Sequence, residues 1–98
     1  MKKEIYLTIL YDYYGELLTL KQQKYFESYY FDNLSLGEIS SNLKVSRNAI
    51  HKQLKTIAEK LTLYEKILNL YEKEEKIKKI LEKIPNKEKQ EIEEILKI

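Results

Sequence analysis

No cysteine occurs among the 98 residues. Its absence removes disulfides, thiolate zinc sites and cysteine nucleophiles together. A single histidine, His51, cannot assemble a metal site by itself. With only two glycines and one proline, the chain is poor in turn formers, which predicts long helices joined by short connections. No apolar run approaches the roughly 20 residues needed to span a bilayer, and no signal-peptide core follows Lys2 and Lys3. The expectation is a soluble, cytoplasmic protein. Neither a nucleophile–base set nor a glycine-rich phosphate loop is present, so no enzyme and no cofactor are expected. The paired acids Glu74–Glu75 and Glu93–Glu94 lie in lysine-rich helical segments and read as solvation.

What is present is lysine, isoleucine and tyrosine in abundance. Of the 18 basic residues, 17 are lysine and one, Arg47, is arginine. The bias resembles that of an AT-rich coding sequence, which discourages a functional reading of the nine tyrosines and makes the lone arginine informative. Net charge is +2, but its distribution is uneven. Residues 1–43 carry four Lys against six Asp/Glu, residues 44–60 carry Lys44, Arg47, Lys52, Lys55 and Lys60 against Glu59, and residues 61–98 carry nine Lys against nine Glu. The positive excess is confined to one window.

Apolar periodicity predicts an all-α chain. A first helix over 4–14 places Ile5, Ile9, Leu10, Tyr13 and Tyr14 on one stripe. Gly15 ends or bends it, and Leu17 and Leu18 extend the apolar face. Thr19-x-x-Gln22 has capping-box spacing and opens a second helix to about Phe31, with Tyr25, Phe26, Tyr29 and Tyr30 inward. Ser35-x-x-Glu38 opens a short third helix ending near Asn42. Ser46 caps a fourth, whose apolar residues Ile50, Leu54, Ile57, Leu61, Tyr64, Leu68 and Tyr71 follow a heptad spacing. Glu75 interrupts the stripe, so a bend or break is expected near Lys73–Glu75. Pro85 fits the first turn of a last helix over 86–97. Nothing alternates with period two, and no sheet or β-wing is expected. Residues 1–60 form the N-terminal helices and helix-turn-helix, and residues 61–98 a helical extension for dimerisation or packing, within a single structural domain.

Residues 35–55 meet the steric demands of a DNA-binding helix-turn-helix. Ser40 is the small residue where the helix axes approach. Leu43 and Val45 plug the turn, Ser46 caps, Ala49 allows close packing, and Ile50 and Leu54 anchor the second helix. The flaw is Lys44, where glycine would be favoured; a left-handed conformation there costs about 1 kcal/mol. Arg47, Asn48, His51, Lys52 and Lys55 fall away from the anchors. Arg47 suits guanine and Asn48 adenine. Lys52, Lys55 and the helix start at Ser46 suit phosphates, and His51 sits beside them. Lys21, Gln22 and Gln23 are candidate backbone contacts from the second helix. The heptad stripe either seams against an identical helix in a homodimer, the favoured reading, or packs back on residues 5–18.

Thr19 to Leu54 resembles region 4 of bacterial sigma factors. A closer resemblance, from about Tyr11 to Tyr64, is to the YlxM family of small bacterial proteins. It is carried by Tyr11-Asp12-Tyr13-Tyr14, Leu18-Thr19-x-Lys21-Gln22-Gln23-x-Tyr25, Tyr29-Tyr30-x-Asp32-Asn33-Leu34-Ser35-Leu36-x-Glu38-Ile39 and Val45-Ser46-Arg47-x-Ala49-Ile50. Leu20 stands where that family usually has proline. The resemblance implies an all-helical protein with a sigma-region-4-like helix-turn-helix. It also implies a link to the signal recognition particle pathway, through the family's gene neighbourhood beside the particle's GTPase. Two functions follow as expectations: a regulator binding double-stranded DNA, or a helical adaptor for signal recognition particle RNA or protein.

Overall fold

The computed structural model describes residues 1–97. They form six α-helices: α1 (Lys3–Tyr14), α2 (Leu20–Tyr30), α3 (Leu36–Leu43), α4 (Arg47–Leu68), α5 (Leu70–Leu81) and α6 (Asn86–Leu96), with a 3-10 turn at Gly15–Leu17. No strand occurs among the described residues. The all-helical architecture follows from the sequence as expected.

Both capping boxes form. Thr19 accepts from the Gln22 N–H at 3.1 Å while the Gln22 side chain accepts from the Thr19 N–H at 3.2 Å. Ser35 and Glu38 repeat the exchange, both at 3.1 Å. Each box satisfies two of the N–H groups that a helix start leaves without partners.

α4 is the spine. At 22 residues it is about 33 Å long, and α1, α2 and α3 all pack on it. Its buried residues Ile50, Ile57 and Leu61 join Leu10, Tyr14, Leu18, Tyr25, Phe26 and Ile39 in one core. The stripe expected on α1 is only partly right. Leu7, Leu10 and Tyr14 are buried, whereas Ile5 is exposed. On the same logic, Leu17 and Tyr29 face solvent. Residues three and four apart share a helix face, so Leu7-x-x-Leu10-x-x-x-Tyr14 satisfies the helical period as well as the stripe through Ile5 and Ile9 does.

The heptad is used within the chain. Ile50, Ile57 and Leu61 are fully buried against α1 to α3, so these positions do not form a seam with an identical helix. The stripe is also shorter than its spacing implies. α4 stops at Leu68, and Asn69 takes a left-handed conformation with φ 55°. The break thus lies at Asn69 and not at Lys73–Glu75. Asparagine tolerates this backbone region better than other non-glycine residues do.

A buried carboxylate explains why the chain breaks there. Glu65 is 7% exposed and sits under the start of α5. Its Oε1 accepts from the Tyr71 N–H and its Oε2 from the Glu72 N–H, both at 3.1 Å. The Tyr14 hydroxyl donates to Glu65 Oε1 and accepts from the Leu70 N–H at 3.1 Å. Three orphan donors of α5 are therefore satisfied by two side chains from other helices. The negative charge also complements the positive end of the α5 dipole. Burial, and then the hydrogen bond to Glu65, push the Tyr14 phenol up to about 12.

Candidate nucleic-acid interface

α3, the turn and α4 form the expected helix-turn-helix, and the turn is held by one serine. The Ser40 carbonyl accepts from the Lys44 and Val45 N–H groups, and the Ser40 hydroxyl donates to the Val45 carbonyl. Small size at this position was legible in the sequence; the hydroxyl's role as a clasp was not. Lys44 has φ 56°, the left-handed conformation that its place in the turn predicted. Ser46 caps α4 by accepting from the Ala49 N–H at 3.1 Å. Its hydroxyl is thus committed to the helix. The N–H groups of the first α4 residues are what this terminus offers an anion.

At 100° per residue, Arg47, His51, Lys55, Asn48 and Lys52 spread over an arc of about 140° on α4. All five are exposed; Ile57 lies on the opposite side, while Ile50 and Leu54 border the arc along its Arg47 edge. Five expected site residues therefore share one solvent face. Arg47 has a specific resting place. A Cβ added at Gly37 would lie 2.7 Å from Arg47 Nη2, so the guanidinium rests over the bare backbone of Gly37 in the first turn of α3.

The residues expected on α2 behave differently. Gln22 is buried, and its Oε1 also receives the Lys60 ammonium at 3.3 Å. The Gln23 amide donates to the Leu18 carbonyl at 3.1 Å. Both glutamines are committed to holding the start of α2, which corrects their reading as backbone contacts. Lys21 is exposed, but it neighbours Gln22 and so lies towards the Lys60 end of α4. Lys60 is thirteen residues, or about 20 Å, along the helix from Arg47. Lys60 also leaves the basic face, so the local excess narrows to Lys44, Arg47, Lys52 and Lys55. Glu38, in the first turn of α3, is held below the usual carboxylate range by hydrogen bonds from the Ser35 backbone and side chain.

Sequence reading also missed the groove beside this face. A cleft of about 800 Å³ runs between α4 and the helices α1 and α2, and His51 and Lys55 form part of its rim. Tyr30 packs on Phe26 as expected and also lines this groove, whereas Tyr29 stands exposed beside it. Among the described residues, no cluster of His, Asp or Glu has metal-binding geometry, and no helix is long and apolar enough to cross a membrane.

Comparison with known proteins agrees with this architecture. The chain is 45% identical over 80 residues to a UPF0122 protein of Caldanaerobacter subterraneus subsp. tengcongensis, covering 82% of this chain and 68% of that one. It is 40% identical over 99 residues to a UPF0122 protein of Thermoanaerobacter sp., covering 96% and 85%. A UPF0122 protein of Oceanobacillus iheyensis is 44% identical over 84 residues, covering 86% and 80%. The family model described as "Putative helix-turn-helix protein, YlxM / p13 like" matches residues 1–98. The chain belongs to this family, UPF0122.

Proposed function

We propose that this chain is a non-catalytic regulator that binds double-stranded DNA, with α4 as its reading helix. The observation that carries the proposal is the exposed arc from Arg47 to Lys55 on the second helix of a formed helix-turn-helix. Arg47 and Asn48 stand at the N-terminal end of that helix, where base edges are met in such docking. For Arg47 to reach a guanine it leaves Gly37, a side-chain rotation with no backbone change. Lys52 and Lys55 supply charge to phosphates, and the exposed α4 N-terminus adds a site for one more.

The test is binding of the full chain to a DNA fragment chosen by selection from random sequences, measured over a range of salt. Log affinity falls linearly with log salt, and losing one phosphate-contacting lysine lowers the slope by about 1. Lys55→Ala weakens all sequences alike, whereas Arg47→Ala costs about 1–3 kcal/mol of discrimination at one base pair. Salt-insensitive binding, or no selected sequence, removes this reading. Preference for signal recognition particle RNA over every DNA selects the adaptor function instead, with the same basic arc as its contact.

A further inference from the structure

We propose that the groove beside α4 receives helix α6 of a second copy of this chain. The groove floor is apolar, built from Leu7, Tyr30, Leu54, Ala58 and Leu63. Its rim is basic, with Lys3, Lys55 and Lys66 against the single acid Glu59, and His51 at one end. Leu63 is 51% exposed, an apolar side chain on the spine helix with nothing over it.

α6 has the matching properties. It buries no residue in its own chain. Ile92, Ile95 and Leu96 lie at i, i+3 and i+4, so they form one apolar stripe, and Ile95 is 80% exposed. Glu91, Glu93 and Glu94 flank that stripe, and no lysine falls between Gln90 and Leu96. An acidic amphipathic helix with no fully buried residue thus shares a molecule with a basic-rimmed apolar groove. Charge alone selects this pairing over two grooves or two α6 helices meeting face to face, which would oppose like charges.

The dimensions agree. The groove follows α4 from His51 to Lys66, about 22 Å of helix, and α6 with 11 residues is about 16 Å long. Within its own chain α6 has Leu96 and Lys97 beside Ile9, Tyr13 and Tyr71, and Ile92 and Glu93 are half-buried. Each chain carries one groove and one α6, so two copies that exchange them reciprocally satisfy both in a closed two-fold pair.

The absence of cysteine gives a clean experiment on the full-length chain. Leu63→Cys and Ile95→Cys are made as separate proteins, both at exposed positions, mixed and oxidised. The expected product is a covalent pair linking position 63 of one copy to position 95 of the other, in excess over like-with-like pairs. In sedimentation, the unmodified chain self-associates at about 100 μM, and Glu93→Lys with Glu94→Lys weakens the association at least about tenfold. Lys3→Glu with Lys66→Glu on a second protein restores it when the two are mixed. Circular dichroism checks that each variant keeps its helices. A chain that stays monomeric at that concentration overturns the proposal, as does a dimer indifferent to both charge reversals. So does a chain carrying both cysteines that closes on itself and forms no covalent pair, since α6 would then fill its own groove.

Discussion

Residues 20–61 and residues 70–96 are both built of amphipathic helices, yet they end in opposite states. In the first region Tyr25, Phe26, Ile39, Ile50, Ile57 and Leu61 are buried. In the second, Leu81 alone is buried among the described residues, and Ile80 and Ile95 stand in solvent. Intrinsic helix preference does not separate the regions, since the second is rich in lysine and glutamate. The difference is whether an apolar stripe has another element to face. α4 is surrounded by α1, α2 and α3, while α5 meets only α1 and the end of α4 to any extent. Helices without tertiary burial open at low free energy, so the first region should set global stability and the second should respond to partners.

The largest expected effect tests that division directly. Ile57→Ala leaves a cavity in the core and costs about 2–5 kcal/mol. Ile80→Ala, at a residue 60% exposed, stays within about 0.5 kcal/mol. Urea denaturation compares them, and similar losses would erase the distinction between the regions.

Next in size is the junction that joins them. Glu65→Gln keeps the shape but replaces one acceptor oxygen with a donor facing N–H or O–H groups. It costs about 1–3 kcal/mol. Amide exchange should accelerate first at Tyr71 and Glu72, with the Ile57 amide still following global unfolding. Acceleration of all three together would mean that the arm and the core unfold as one unit.

The same junction gives a pH dependence at the alkaline end. The folded pKa of Tyr14 is about 12 against an ordinary 10.0. A raised pKa favours the protonated form in the native state, so its contribution is complete below pH 10.0 and is lost as pH rises towards about 12. Tyr6, Tyr11 and Tyr30 are shifted in the same direction, in each case chiefly by burial. Tyr14→Phe should therefore flatten the alkaline loss of helix signal without abolishing it.

The smallest effect lies in the turn. Lys44→Gly removes left-handed strain of about 1 kcal/mol, offset in part by the greater freedom of glycine in the unfolded chain. A net gain of about 0.5 kcal/mol is expected in thermal unfolding. No gain would show that the lysine stem is held by contacts worth as much as the strain.

The sequence reading succeeded where a local signal had a single structural meaning. Two capping boxes, the Ser46 cap, the strained Lys44 and the pattern around Ile50 and Leu54 all depend on neighbours a few residues away. It went astray where the outcome depends on distant partners. Leu7 and Ile5 compete for the same stripe, and only the position of α4 decides between them. Gln22 was legible as a capping residue, but Lys60 and the Leu18 carbonyl, the further partners of Gln22 and Gln23, are not visible in one dimension. The break at Asn69 has a weak local signal, one asparagine between two leucines. Its determinants, Glu65 and Tyr14, come from an earlier turn and from another helix. For the candidate site, the arc from Arg47 to Lys55 was legible from helical periodicity. The resting place of Arg47 on Gly37 was not, since glycine gives no sign of what crosses it.

The break at Asn69 has a consequence for rotational phase. In an uninterrupted helix, one inserted residue turns everything beyond it by 100°. Here α5 begins afresh, and its orientation is fixed by where the Glu65 carboxylate meets the Tyr71 and Glu72 N–H groups. An insertion in α4 ahead of Glu65 therefore carries α5 round with the carboxylate, whereas one in α5 beyond Glu72 leaves the junction in place. The length of the arm beyond Glu72 is free to change without altering the face that α4 offers, provided the carboxylate stays.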